Sequence, residues 1–336
     1  MNHFPSFVAP LNDLAVIEIT GQDAASFLHG QLTHDVSGLT PGVARYAGYC
    51  TAKGRLLGNM VVWQGQQTET PVLYAMTKAD IAATLVKRLS MFVLRAKAKL
   101  QLAPVRVWGV ALAAAGPGQA NSPAQSPDTK LLQAAAGLAM PPQPWSLTHT
   151  QAGTWIAAPC ESTNITRWWL LATEAGDPAS ASLAENASAN EFSQLWQAAD
   201  IAAGLPWVVA ATQDLFIPQT LNLDLIDGVS FSKGCYPGQE VVARSHYRGT
   251  VKRRMAYGVI EAVGGLDAGA LPGLDTYNAN KPDNPCGRII NAAHARAGIH
   301  VLMEVQLADL DNADFRLGQA DGAAIKLMSL PYQIQA

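Results

Sequence analysis

Three strand-like runs and one helical run, set close together in residues 43–93, constrain the fold more than any other feature of this sequence. Residues 43–50 and 55–63 are apolar runs carrying Val, Tyr and Trp, and Thr51-Ala-Lys-Gly54 between them reads as a hairpin turn. Residues 71–76 make a third short run, and Ile81, Leu85, Leu89, Phe92 and Val93 then recur at helical spacing. Upstream, Leu14-Ala-Val-Ile-Glu-Ile-Thr20 reads as a strand. It is followed by a helix over 23–32 with Ala24, Phe27, Leu28 and Leu32 on one face, and Thr20 and Asp23 have capping-box spacing. Residues 99–102 and 105–112 are further strands. Paired strands with single helices between them define an α+β chain built from split β-α-β modules.

The order then partly repeats. Residues 154–158 and 168–173 read as strands and 191–201 as a helix, while 113–144 and 176–190, rich in Ala, Gly, Pro, Ser and Gln, read as insertions. After Lys252 the helical periodicity fades, and short apolar runs alternate with Gly, Pro, Asn and Asp turns. The expected division is an α+β region over 1–250 and an all-β domain over 251–336.

Composition narrows the function classes. Of 336 residues, 49% are hydrophobic and 15% charged, which fits a compact chain with a large core. A net charge of −3 gives no general affinity for nucleic acid or anionic membrane, so neither is expected as a direct partner. The apolar stretches around 105–115 and 131–140 are too short to span a bilayer. Four cysteines (Cys50, Cys160, Cys235, Cys286) form no C-x-x-C pair, so neither a cysteine-pair zinc site nor a disulfide framework is expected, and no metal ligand set is assigned. The N-terminus has no basic region followed by an apolar run, so no signal peptide is expected and a reducing cytoplasm is. No G-x-G-x-x-G, P-loop or H-E-x-x-H occurs.

The chemistry concentrates in residues 230–249, S-F-S-K-G-C-Y-P-G-Q-E-V-V-A-R-S-H-Y-R-G. Lys233-Gly234 and Pro237-Gly238 are turn signals, and 239–246 reads as a short helix. Cys235 then lies just before a helix N-terminus, where free N–H groups and the helix dipole favour an anion, and Lys233 adds a cation. Both stabilise a thiolate. The alternative is an inert, buried cysteine. Between Ser230 and Arg254, six cations (Lys233, Arg244, Arg248, Lys252, Arg253, Arg254) accompany one acid, Glu240. They suit an anionic ligand, or else salt bridges to Asp214, Asp224 or Asp227. His29 and His34 near Asp35 read as a helix-end surface pair or a metal site. His246 lies too far along its helix to be an obvious base for the thiol.

Lys233-Gly-Cys-Tyr-Pro-Gly-Gln-Glu240, with Ala243-Arg244 and Arg248-Gly249, resembles the signature of the YgfZ family. These are folate-binding-like proteins of iron–sulfur cluster assembly or repair, linked to tRNA modification. The resemblance extends to residues 23–36, Lys53-Gly-Arg55, 201–207 and 216–224, and so spans most of 14–250. It implies the fold of the glycine-cleavage T-protein: three small domains in a ring around a folate-sized channel, the last a β-barrel. It implies Cys235 and Lys233 as the reactive pair and Gly234, Tyr236, Gly238, Gln239, Glu240, Arg244 and Arg248 as the surrounding binding set, with Arg244 helping to keep the thiol ionised and Gln239 and Glu240 holding the loop from behind. Tetrahydrofolate is the implied cofactor, held in the channel, and iron–sulfur client or assembly proteins are the implied partners.

Two departures bear on activity. Where the T-protein carries an Asp pair after its hairpin glycine, this chain has Arg55-Leu-Leu-Gly-Asn59, and where that protein has an acidic residue thought to read the pterin edge, this one has Ala202. Aminomethyl transfer therefore lacks its expected carboxylate. The expected function is cluster assembly or repair supporting [4Fe–4S] enzymes rather than conventional turnover. A folate-dependent transferase or demethylase, and a binding module with a structural cysteine loop, are the alternatives.

Overall fold

The computed structural model describes residues 6–66, 72–113, 143–173, 187–247, 251–261, 264–295, 298–310 and 312–334. They form three antiparallel sheets. The chain begins with β1 (Phe7–Pro10) and β2 (Leu14–Thr20), then α1 (Ala24–His29), the hairpin β3 (Ala44–Cys50) and β4 (Leu56–Gln64), β5 (Val72–Lys78), α2 (Ala79–Ser90) and β6 (Lys99–Leu102). The first sheet has the order β3-β4-β5-β2-β6. α2 buries Ile81, Ala82, Leu85 and Leu89 on one face, as the spacing requires. It lies so close to β4 that a Cβ on Gly58 would come within 2.8 Å of Leu85.

The second sheet has the order β1-β7-β10-β9-β8, formed with β7 (Val105–Ala113), β8 (Leu147–Thr150), β9 (Gly153–Ala157) and β10 (Ile165–Thr173). α3 (Ala187–Ala202) packs against β1 and against the third sheet. The missing side chain of Gly109 on β7 admits the ring of Trp196, which would stand 2.4 Å from a Cβ there. After α4 (Gln239–Tyr247) come β11 (Arg253–Glu261), β12 (Asp275–Asn278), β13 (Gly287–Ala295), β14 (Gly298–Gln306), β15 (Phe315–Leu317) and β16 (Lys326–Met328). Their sheet has the order β15-β12-β13-β14-β11-β16. It curls until its two ends meet: Leu317 donates to the Ala323 carbonyl at 3.0 Å and Ile325 to that of Phe315 at 2.8 Å, just before the chain enters β16.

Where the sheets meet, the interior is aromatic. Tyr46 of β3 stacks on Trp145, which stacks on Trp169 of β10. Trp196 of α3 and Trp207 approach Trp169 edge-on at 6.0 and 6.4 Å. Trp207 ties in the third sheet: its N–H donates to Asn291 Oδ1 of β13 at 2.8 Å and its carbonyl accepts from Asn291 Nδ2 at 2.7 Å.

Several local expectations change. The capping box at Thr20 and Asp23 does not form; Asp23 Oδ2 instead accepts from the Lys97 amide at 2.7 Å, so tertiary contact displaces the local cap. α1 ends at His29, and Phe92 and Val93 lie in the turn after α2. Strands β1 and β8 are edge strands of four residues, too short for a period-2 signal. Residues 187–190, expected in an insertion, begin α3. The remainder of that insertion and most of the first, 114–142, lie outside the described residues.

Candidate functional site

The stretch from Ser230 to Tyr247 folds as a loop leading into α4, and its turns follow from its glycines. Lys233 and Tyr236 are buried, while Gly234 and Cys235 are exposed. The Lys233 ammonium turns inward. Its Nζ donates to the His29 carbonyl and, at 2.7 Å, to the Leu32 carbonyl, at the end of α1 and in the turn just beyond it. It also lies 4.9 Å from the centre of the Tyr236 ring. Carbonyls left free past a helix C-terminus are natural partners for a cation. Burial pulls the Lys233 pKa down to about 8, and the charges of Asp35 and Cys235 oppose that shift.

The other half of the loop is fixed by glycine on glycine. Gly238 has φ +81°, and a Cβ there would stand 2.4 Å from the Thr51 carbonyl oxygen and 2.6 Å from the backbone of Gly54. Gly54 itself has φ +73° and would meet Val241 of α4 at 2.9 Å. The Lys53-Gly-Arg55 hairpin and the cysteine loop, matched separately in the sequence, are thus two sides of one backbone contact. Behind it, Val242 is buried and its carbonyl accepts from Gln219 Nε2 at 2.7 Å.

Cys235 therefore sits exposed on a loop gripped at both ends. Beside it, the His29 ring faces Gly234, with Nε2 3.4 Å from the position a Cβ would take. His29 Nδ1 pairs with Asp35 Oδ1 at 2.9 Å. The Ser37 hydroxyl, then the Gly38 and Ser37 amides and His29, hold the Asp35 carboxyl down to about 2. His29 and Asp35 thus flank the thiol loop, a placement that sequence spacing left open. Of the other expected site residues, Gln239 opens α4, and Glu240 and Arg244 pair with each other on its exposed face at 3.1 Å. Phe231 stacks on His246 at 3.7 Å. Arg248 lies outside the described residues.

The basic cluster is largely engaged within the protein. Arg254 makes a two-pronged pair with Asp224 at 2.6 and 3.1 Å, both side chains buried. Arg253 pairs with Glu304, Arg244 with Glu240, and Lys233 with backbone carbonyls. Salt bridging to Asp224, one of the two readings of the charge run, is realised. Asp227 instead approaches His34 and Arg45.

A separate cavity of about 540 Å³ lies at the meeting of the sheets, lined by Asp13, Lys78, Asp80, Asp200, Trp207 and Asn291 among others. No residue of the cysteine loop lines it. Asp200 is fully engaged, accepting from Arg167 at 2.8 Å and from Trp207 Nε1 at 3.1 Å. Asp80 Oδ2 accepts from the Ala210 amide. Asp13 Oδ2 accepts from Lys78 Nζ at 2.5 Å, but its Oδ1 is buried without a hydrogen-bond partner. Trp207 is itself almost wholly buried, with Lys78 Nζ 5.7 Å from the centre of its ring. Asn59, in the run where the T-protein has its Asp pair, does not line the cavity: its amide is buried in bonds to the Tyr46 hydroxyl, the Pro206 carbonyl and the Val208 amide.

The fold is aminomethyltransferase-like. The chain matches glycine cleavage system aminomethyltransferase T from Bartonella henselae with a TM-score of 0.65 over 98% of this chain and 86% of that one, at 15% sequence identity. Within that class the chain belongs to the YgfZ family. It is 30% identical to the tRNA-modifying protein YgfZ of Yersinia pseudotuberculosis over 254 residues, covering 75% of this chain and 70% of that protein. It is 29% identical to that of Serratia proteamaculans over 343 aligned positions, covering 99% and 94%. No protein-family model matches the chain. Among the described residues no helix is long and apolar enough to cross a membrane.

The Lys233 anchor has a pH signature. Its folded pKa lies below the ordinary lysine value of 10.5, so between about 8 and 10.5 the unfolded chain binds the extra proton and stability rises with pH. The stability of the native protein relative to Lys233→Met is expected to increase across that window. Urea denaturation of both proteins at pH 7.5, 9 and 10.5 checks this; a flat difference would contradict it.

Proposed function

We propose that this protein supports the assembly or repair of iron–sulfur clusters in [4Fe–4S] enzymes, tRNA-modifying ones among them, through the thiolate of Cys235. The observation that carries this reading is the display of Cys235: an exposed thiol on a loop whose neighbours are buried or pinned to α1 and to the β3–β4 hairpin. A structural cysteine would be expected in the core, as Cys50 is, where burial pushes the thiol up to about 12. A lone thiolate cannot hold a cubane cluster, which ordinarily takes four, so the cluster is cargo, shared with the client or donor protein. The names of the relatives as tRNA-modifying proteins agree with such a role.

Tetrahydrofolate is the proposed ligand of the cavity of about 540 Å³ at the meeting of the sheets. A bound folate would supply one-carbon chemistry. The chain's own residues bind and orient, since Asn59 and Gly58 stand in the run where a carboxylate would serve aminomethyl transfer.

Cys235→Ala, expressed in cells lacking the native protein, is expected to leave [4Fe–4S] enzyme activity at the level of the empty-vector control, with the variant protein present at native abundance. Full recovery of activity would sink the thiolate role. Alkylation by iodoacetamide in a Cys160→Ser background gives an independent reading: Cys235 is expected to react faster than free cysteine at neutral pH.

A further inference from the structure

We propose that the turn after α2, residues 91–99, is a docking surface for an acidic face of the [4Fe–4S] protein that meets Cys235. This names the partner-binding surface of the site proposed above and rests on that reading. Met91, Phe92 and Leu94 are 60%, 46% and 87% exposed. One exposed apolar side chain is ordinary, but three within four residues make a projecting patch. Leu94 stands there in the left-handed region, at φ +44°, a conformation that costs a leucine free energy. Its side chain recovers none of that cost by packing within this chain.

The rim of the patch has one sign of charge. Residues 87–99 carry five cations (Lys87, Arg88, Arg95, Lys97, Lys99) and no acid. The cations around the cysteine loop are neutralised within the protein, whereas among the described residues Arg95, Lys97 and Lys99 have no acidic partner. Apolar knobs inside a basic rim complement an acidic face with an apolar depression. Two of the three knobs are aliphatic and offer no face on which a nucleobase stacks, which favours a protein over RNA.

One short helix sets the distance from the patch to the thiol. α1 has six residues and is about 9 Å long. At its start the Asp23 amide donates to the Lys97 carbonyl at 3.2 Å, and Asp23 Oδ2 accepts from the Lys97 amide. At its end the His29 carbonyl accepts from Lys233, and the His29 ring faces Gly234. The patch and the cysteine loop are thus clamped to the two ends of one helix. A protein face of about 800 Å², about 30 Å across, is wide enough to reach from one to the other.

The test uses Leu94→Asn and Arg95→Glu/Lys99→Glu, each expressed in cells lacking the native protein. Asparagine tolerates a left-handed φ, so Leu94→Asn is expected to melt at or above the native temperature. Both variants are expected to alkylate at Cys235 at the native rate in the Cys160→Ser background. Both are nevertheless expected to recover about a tenth or less of native [4Fe–4S] enzyme activity, because loss of an interface anchor weakens binding roughly 10- to 100-fold. A benzoylphenylalanine placed at position 92 is expected to give, under light, an adduct with a protein that mass spectrometry identifies as a [4Fe–4S] protein, and Arg95→Glu/Lys99→Glu to abolish it. Full activity from both variants, with Cys235→Ala inactive in the same cells, would overturn the docking surface and leave the thiolate role standing. Full activity from Cys235→Ala would remove the reading beneath it. Retention of the native protein on phosphatidylglycerol vesicles or on tRNA, lost in Leu94→Asn, would overturn the protein partner in favour of lipid or RNA.

Discussion

Gly238→Ala is expected to destabilise the protein by about 2–4 kcal/mol and to release the cysteine loop from the β3–β4 hairpin. Two effects act together. At φ +81° an alanine pays left-handed strain of about 1 kcal/mol or more. Its Cβ would also sit 2.4 Å from the Thr51 carbonyl oxygen and 2.6 Å from the Gly54 backbone, neither of which can rotate away. The hairpin and the loop must therefore separate. Urea denaturation gives the stability, and iodoacetamide alkylation in the Cys160→Ser background gives the state of the loop. Native stability together with an unchanged alkylation rate would refute the contact. Gly54→Ala, at φ +73° and facing Val241, is expected to act in the same direction.

Asp224→Ala is expected to destabilise the protein by about 3–5 kcal/mol, because it strands a buried guanidinium. Arg254 is 5% exposed, and among the described residues its two-pronged bond to Asp224 is supplemented by the Gln219 carbonyl at 2.9 Å. The charge matters more than the contact, since replacing both partners removes the stranded ion. The double variant Asp224→Leu/Arg254→Met is accordingly expected to recover most of the loss. Thermal melting of the two single variants and the double separates a buried-charge penalty from simple loss of packing. If Asp224→Ala melts with the native protein, the pair is not holding the first region to β11.

The α+β character, the hairpin at Lys53-Gly54 and the helix at 79–90 were legible because each is a local pattern of turn residues and periodicity. The chemically loaded loop was legible for the same reason. What joins its parts was not. Lys233 meets carbonyls 201 and 204 residues away in sequence, and nothing in the residue types at His29 and Leu32 marks a backbone acceptor. Gly58 illustrates the converse. Seen as a missing carboxylate, it is also the place where α2 closes onto β4. The cavity was the least visible of all, because Asp13 and Lys78 belong to separate segments outside any motif, and nothing in the matched run 201–207 says that Trp207 meets them.

The grip of Gly54 on Gly238 also bears on biogenesis. Gly54 of the hairpin and Gly238 of the loop lie 184 positions apart, and chain segments this distant meet late, after the closure of a very long loop. While the chain is being synthesised, Cys235 is an unsupported thiol on an unanchored segment. It acquires its final surroundings only when the hairpin, made first, captures the loop made 184 positions later. A nascent or truncated chain would carry the cysteine without its setting, so the placement of the thiol doubles as a readout that the whole fold has closed.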